Sequence, residues 1–233
     1  MTLSDLDLLD IQIHALFRHD DAGRITTTNE PDPEPAPRVF WGRTTSGDLW
    51  RFRDDVPADA VATMEMMLAA EPPLTDLTDN SPVPQAILDE LARVGPIAEV
   101  EHGPAWYIPD TLPPSTVAAI VGEEDVASLR PRYPYLADHL AELSPCAAVH
   151  REGVVVTVCT SVRITHQACE AGFDTIPEVR GRGYGPDAVA VWAAAVRATG
   201  RIPLYSTSWD NQASRRVAEK LGLVQYAVDL SIT

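Results

Sequence analysis

The sequence predicts an α/β (α+β) protein: a mixed, mainly antiparallel central sheet with flanking helices, joined to a smaller α+β lobe at the N-terminus. Three observations carry this. Residues 146–232 hold five β-rich stretches interleaved with two well-punctuated helical segments. Residues 1–95 hold a helical segment, a hairpin pattern and two more helical segments, broken by proline clusters. Apolar residues make up 45% of the 233, enough to build a sizeable core.

In chain order, residues 4–18 read as an amphipathic helix. Acidic residues stand where a secretory signal would be basic, so the start reads as mature chain. "NEPDPEPAPR" (29–38) is a loop, because alternate prolines block both helix and central strand. "RVFWGR" (38–43) and "DLWRFR" (48–53) flank "TTSGD" and read as a hairpin, with Trp41, Trp50 and Phe52 as core or pocket aromatics. Helices follow near 57–70 and 84–93, then a strand near 97–108. "IPDTLPPS" (108–115) is the third proline cluster and reads as the join between two lobes.

In the second lobe, 146–163 reads as a hairpin turning at Arg151-Glu152-Gly153, with Val154, Val156, Val158, Thr160 and Val162 on one face. A third strand spans 168–176 and stops at Pro177. A helix near 186–199 has Pro186 in its first turn and Gly200 as C-terminal stop. A strand at 202–209, a helix at 210–222 capped by Asp210 or Asn211, and a strand at 223–232 complete the order.

Composition narrows the function. Net charge is −16. Residues 1–100 carry 19 acids against 7 arginines, whereas 178–220 carry 7 bases against 4 acids. An acidic body disfavours DNA, RNA or an RGG-type RNA module. No run of 18 apolar residues appears, so no membrane span is expected. Cys146, Cys159 and Cys169 are odd in number and form no CxxC, which fits buried thiols in a reducing cytoplasm. The six histidines show no metal spacing, so no metal is expected.

The basic island coincides with "RGRGYG" (180–185), directly before a helix. Glycines there let unpaired helix-start N–H groups close on an anion, with Arg180 and Arg182 adding charge. A pyrophosphate suits a loop of this length. The Lys-Ser/Thr of a Walker loop is missing, and Gly181-x-Gly183-x-Gly185 is not the dinucleotide fingerprint. Taken alone, a tight turn with solvated arginines explains the loop equally well.

Arg180-x-x-Gly183-x-Gly185 resembles the acyl-CoA loop of the GNAT superfamily of N-acetyltransferases, as does the preceding strand ending "TIPEV". About 26 residues on, "NQASRRVAEKLGL" resembles the family's second signature, an Asn-x-x-Ala/Ser helix ending Glu-Lys-Leu-Gly. The likeness covers roughly 100–233 in element order and 168–227 in motif. It divides the chain into an N-terminal lobe, 1–95, and a GNAT-like acetyl-CoA-binding catalytic domain, 96–233.

The resemblance implies that the strands of Thr175 and Tyr205 splay apart around the thioester of acetyl-CoA, which serves as cosubstrate. It implies that backbone groups of Thr175 and Ile176 pair with the pantetheine arm. Arg180, Gly181, Arg182, Gly183, Tyr184 and Gly185 would hold the pyrophosphate, and Asn211 and Ser214 would contact pantetheine. Acetyl transfer needs a neutral amine, and deprotonating a lysine-like amine at neutral pH costs about 4–5 kcal/mol. Glu170 is the first candidate base, against a solvated or ion-paired Glu; Glu178 and His166 are others. Many relatives carry an acidic Tyr on the last helix where this chain has Ala218, so Tyr205, Ser206 or Ser208 would substitute, or no acid is needed. The reading is an N-acetyltransferase acting on a primary amine of a small molecule or peptide, with a cationic acceptor favoured by the acidic surface. The alternative is a non-catalytic acyl-CoA-binding sensor or regulatory module. No motif in 1–95 decides among a substrate lid, a homodimer surface and a degenerate copy of the second lobe.

Overall fold

The structure is a computed structural model, which describes residues 3–233. Met1 and Thr2, at the head of the expected mature N-terminus, lie outside the described residues.

Helix α1 (Asp5–Leu16) starts at a reciprocal cap. The Ser4 hydroxyl accepts from the Asp7 N–H, while the Asp7 carboxylate accepts from the Ser4 N–H. A short two-stranded ribbon follows, β1 (Phe17–His19) with β2 (Ile25–Thr28). The expected hairpin is β3 (Val39–Thr44) and β4 (Gly47–Phe52), in antiparallel register through a two-residue loop. Next come α2 (Ala58–Ala70), α3 (Gln85–Arg93) and β5 (Val100–Tyr107).

Residues 110–145 hold more order than their sequence suggests: strand β6 (Ala118–Ile120) and short helices α4 (Val126–Leu129) and α5 (Pro134–Asp138). The remainder follows the expected order: β7 (Cys146–Arg151), β8 (Val154–Ile164), β9 (Ala168–Thr175), α6 (Tyr184–Ala198), β10 (Ile202–Ser206), α7 (Gln212–Leu221) and β11 (Val224–Ile232). The β7–β8 turn uses Glu152 and Gly153 at φ 52° and 78°, the left-handed pair that matches hairpin twist.

Nine strands form one sheet in the order β4-β3-β11-β5-β10-β9-β8-β7-β6. Only β9 and β10 pair in parallel. The hairpin from the first 95 residues sits in this same sheet, because β3 pairs with the C-terminal β11 from Val39↔Ile232 to Arg43↔Val228. The sheet therefore crosses the boundary marked at residue 95.

Both faces are covered. On one lies α1, with α4 and α5 beyond it; Gly42 lets α1 come close, since a Cβ there would fall 2.3 Å from Leu9 Cδ1. The other carries α6 and α7 and, toward β3, α2 and α3. Trp192 of α6 is fully buried, and its Nε1 donates to Ser161 Oγ at 3.0 Å. A side chain of that size contributes roughly 2–3 kcal/mol by leaving water. Double coverage buries both faces of β8. Val155, Thr157 and Cys159 are buried as well as Val156, Val158 and Thr160. Val158, Thr160 and Val162 share one face and line one cavity with Gly172, whereas the register shift that sets Val155 opposite His150 and Thr157 opposite Val149 leaves Val156 as an extra residue and breaks the alternation below it.

Two boundaries also move. Helix α6 begins at Tyr184, ahead of Pro186, and β10 ends at Ser206 rather than at 209. Beyond Ser206 the chain bends over β5: Thr207 N–H donates to Pro104 O and Trp209 N–H to His102 O. Gly103 permits that crossing, because a Cβ on it would sit 1.9 Å from the Thr207 carbonyl oxygen. All three cysteines are buried free thiols. No helix among the described residues is long and apolar enough to cross a membrane.

Candidate active site

The parallel pairing of β9 with β10 runs only from Ala168↔Ile202 to Glu170↔Leu204. Past Glu170, β9 stays with β8 to Thr175, while β10 stays with β5 to Ser206↔Ala105. The strands part, and the β9 edge facing β10 is left without a partner. Ile176 N–H donates to Val156 O on the β8 side, so alternation turns the backbone groups of Thr175 and Phe173 toward the gap.

A cleft of about 490 Å³ fills this gap, with Phe173 and Thr175 on one wall, Tyr205 and Ser206 on the other, and the loop before α6 at its end. Gly181 and Gly183 have φ of 78° and 89°, and a Cβ on either would meet nothing within 4 Å. Their conformation suits glycine and their surroundings are open. Among the described residues, no protein group accepts from the amides of Gly181, Arg182, Gly183, Tyr184 or Gly185. Five consecutive N–H groups therefore stand free at the positive end of a 15-residue helix. Gly185 plays a different part: a Cβ there would lie 3.3 Å from Phe173 and 3.4 Å from Val217, so it brings α6 close to its neighbours.

Arg180 turns back over the strand, its Nε donating to Thr175 O at 2.9 Å. Two expected residues do not line the cleft. Ile176 has its N–H on Val156 O and its C=O on the Val179 N–H, so it has no backbone group for a ligand. Arg182 is exposed and stands near the Tyr184 hydroxyl. Sequence reasoning missed three cations. Arg151, from the β7–β8 turn, donates through Nε to Tyr184 OH at 2.9 Å with its guanidinium 4.5 Å from the ring centroid. Its hydrogen bond, then its charge, lower the Tyr184 pKa. Arg216 and Lys220, four residues apart on α7, line the opposite side of the cleft. Lys220 is the only lysine in the chain. These two follow from the helical period of 212–221, whereas Arg151 has no local signal.

Asn211 caps α7, accepting from the Ser214 N–H at 3.1 Å, and both residues line the cleft. The Ser214 hydroxyl is 2.6 Å from Tyr205 OH, and burial raises the Tyr205 pKa above its ordinary value. Ala218 is buried one turn further along α7 and offers no hydroxyl.

Glu170 lies behind this wall, 2% exposed, its Oε1 accepting from Ser206 Oγ at 2.7 Å while its Oε2 has no partner among the described residues. Burial pushes its pKa up to about 7, against the hydrogen bond from Ser206 and the charge of Arg163. Glu178 is instead exposed and 3.8 Å from Arg132, and His166 is exposed in the β8–β9 turn, away from the splay.

Ser206, Thr207 and Asn211 also line a second cavity of about 420 Å³. Two clefts thus meet at the end of β10, with Glu170 next to the junction. The raised pKa has a consequence for stability. The favourable neutral form is fully present below about pH 4.5 and its advantage is lost as pH rises through about 7. Glu170→Gln is expected to match the parent at pH 4.5 and to be more stable at pH 8 by on the order of 2–3 kcal/mol in urea unfolding. A variant less stable at pH 8 would show that the carboxylate is held by a charge partner instead.

A family model described as an acetyltransferase (GNAT) domain matches residues 105–224, 120 of the 233. The chain belongs to the GNAT acetyltransferase family. Membership makes it an acyl-CoA-dependent N-acetyltransferase, and the matched segment contains the loop, the splay and α7. Several solved structures are similar. One is a GNAT-family protein from Novosphingobium aromaticivorans, 19% identical, with TM-score 0.45, covering 59% of this chain and 66% of its own. Another, a GNAT-family acetyltransferase from Colwellia psychrerythraea, is 12% identical at TM-score 0.48, covering 79% of this chain and 76% of its own. A third, from Salmonella typhimurium and described with its cofactor acetyl-CoA, is 15% identical at TM-score 0.39, covering 50% of this chain and 94% of its own. Comparison with curated proteins gave no match.

Proposed function

We propose that this GNAT enzyme acetylates the primary amine of a small molecule or peptide by direct attack of the amine on acetyl-CoA. The observation that carries the proposal is the meeting of two clefts at Ser206, with the buried carboxylate of Glu170 hydrogen-bonded to that serine. The residues present fit acetyl-CoA, because the free amides of Gly181, Gly183, Tyr184 and Gly185, two open left-handed glycines and the cations Arg180, Arg216 and Lys220 converge on one cleft. Bound there, acetyl-CoA supplies an activated thioester carbonyl.

The remaining work falls to the chain. Gly181 to Gly185 and Arg180 hold the pyrophosphate, and the β9 edge at Phe173 and Thr175, where the Thr175 carbonyl accepts from Arg180 and the other groups facing the gap have no strand partner, holds the pantetheine arm as an added strand would. Glu170 takes the proton that the amine loses as its nitrogen bonds to the carbonyl carbon, with Ser206 as the contact in the cleft. A base with a pKa of about 7 is well matched to that task near neutral pH. The bond from carbon to sulfur breaks, and the electron pair leaves with sulfur. Tyr205, with its raised pKa, retains its proton; its hydroxyl donates to Ser214 O and lies 2.6 Å from Ser214 Oγ, and by turning from that carbonyl it would offer the departing thiolate a hydrogen bond.

Free-thiol release with a panel of primary amines tests this reading. Amine-dependent release is expected. Tight acetyl-CoA binding with no release for any amine would favour the sensor or regulatory reading instead.

A further inference from the structure

The second cavity lies on the α1 face of the sheet, and the residues outside the family match build much of it. Leu16, Phe17, Thr28, Glu34 and Phe40 form one side. Glu101 of β5 and Asp229 of β11 lie opposite. Register puts Asp229 on the same face as the catalytic junction. Glu170 is opposite Leu204, Ser206 is two residues on and opposite Ala105, and Asp229 is opposite Gly103.

Asp229 is fixed from behind. Its Oδ2 accepts from Gln12 Nε2 at 2.7 Å, and Gln12 Oε1 accepts from Tyr226 OH at 2.8 Å. Gln12 and Tyr226 are both essentially fully buried, so helix α1 spends a buried amide on orienting this one carboxylate. The charge in the cavity is unbalanced. Arg163, which also lines it, is already paired with Glu30, and burial lowers the His102 pKa so that this ring stays neutral. Among the described residues, Glu34, Glu101 and Asp229 remain without a cation. A second feature points the same way: the nearly inaccessible Oε2 of Glu170, behind Ser206, has no partner.

We infer that the N-terminal segment walls the acceptor compartment and that Asp229, held by Gln12, is the specificity-determining residue that receives a second ammonium group of a diamine acceptor. The inference rests on the reading of Glu170 and Ser206 as the proton-accepting end. Ser206 and Asp229 stand two strands and two residues apart, which puts their Cα atoms about 12 Å from one another on ordinary sheet spacings. Their side chains project from the same face, so a hydrogen bond of about 2.8 Å at each end leaves about 6–7 Å between the two nitrogens, a span that suits a diamine of about four or five carbons. One ammonium would sit at Asp229 while the other nitrogen, deprotonated, faces the thioester.

Thiol release at pH 8 with saturating acetyl-CoA tests this, using 1,5-diaminopentane against n-pentylamine for the parent, Asp229→Asn and Glu34→Gln. The parent is expected to show at least 30-fold higher kcat/KM for the diamine. Asp229→Asn should cut that ratio at least tenfold, mainly through the diamine KM, and Glu34→Gln should reduce it by a smaller factor. A parent without diamine preference, or a preference that survives both substitutions, would overturn the inference and leave the transfer chemistry standing. No release with either amine, while acetyl-CoA still binds, would overturn the reading beneath it as well.

Discussion

Glu170→Gln is expected to lower kcat/KM at pH 7.5 by 10²- to 10⁴-fold, the range that removal of a general base produces, while acetyl-CoA affinity changes little. The parent should show an acidic limb with an apparent pKa near 7, because Glu170 must be ionised to accept a proton and burial holds its pKa at about 7. Asp229 is also raised to about 7, by burial first and then in part by Glu170 itself, so the limb belongs to the pair of carboxylates. The variant should lose the limb. At high pH, where the amine sheds its own proton, the gap between parent and variant should narrow. A full-activity variant with an unchanged pH–rate profile would remove Glu170 from the mechanism.

Gly183→Trp and Arg180→Glu should each reduce acetyl-CoA affinity by at least 100-fold. At position 183 the space ahead of the helix is open, so an indole fits there without displacing protein, and occupies the volume that phosphate oxygens need. The φ of 89° adds strain of roughly 1–2 kcal/mol for any residue with a Cβ, a tolerable loss for a 233-residue protein. Arg180→Glu leaves the turn's backbone intact and reverses the charge beside it, so the two variants fail for different reasons. Both should retain the parent's circular dichroism. Calorimetry giving parent-like affinity in both would show that the loop does not bind the ligand.

Much of the second half was legible because its signals are local. Gly181 and Gly183, the Asn211 cap and the Gly222 stop act within a few residues of themselves, and each stands where its φ or its cap bond requires. The N-terminal helices and hairpin were legible for the same reason. The region 110–145 was not: helices of four and five residues and a three-residue strand are too short for a period to show. Partnerships across the chain were also hidden. Val39 meets Ile232, and Gln12 meets Asp229 at a separation of 217 residues, so nothing in either segment names the other. That is why the first 95 residues read as a separate lobe, although their hairpin completes the sheet. Glu170 was a candidate base from the family resemblance of the strand that leads to the loop, but its link to Ser206 required the parallel register of β9 and β10.

The free amides ahead of α6 are the feature on which the site depends, and calorimetry with two ligands tests them most directly. Acetyl-CoA carries the pyrophosphate and the phosphoadenosine attached to it and S-acetylpantetheine lacks both, while both ligands present the same thioester and arm, and Gly183→Trp isolates the share that the loop contributes. Acetyl-CoA is expected to bind at least 100-fold more tightly, with an advantage that shrinks sharply in Gly183→Trp. Equal affinity for the two ligands in the parent protein would contradict the account.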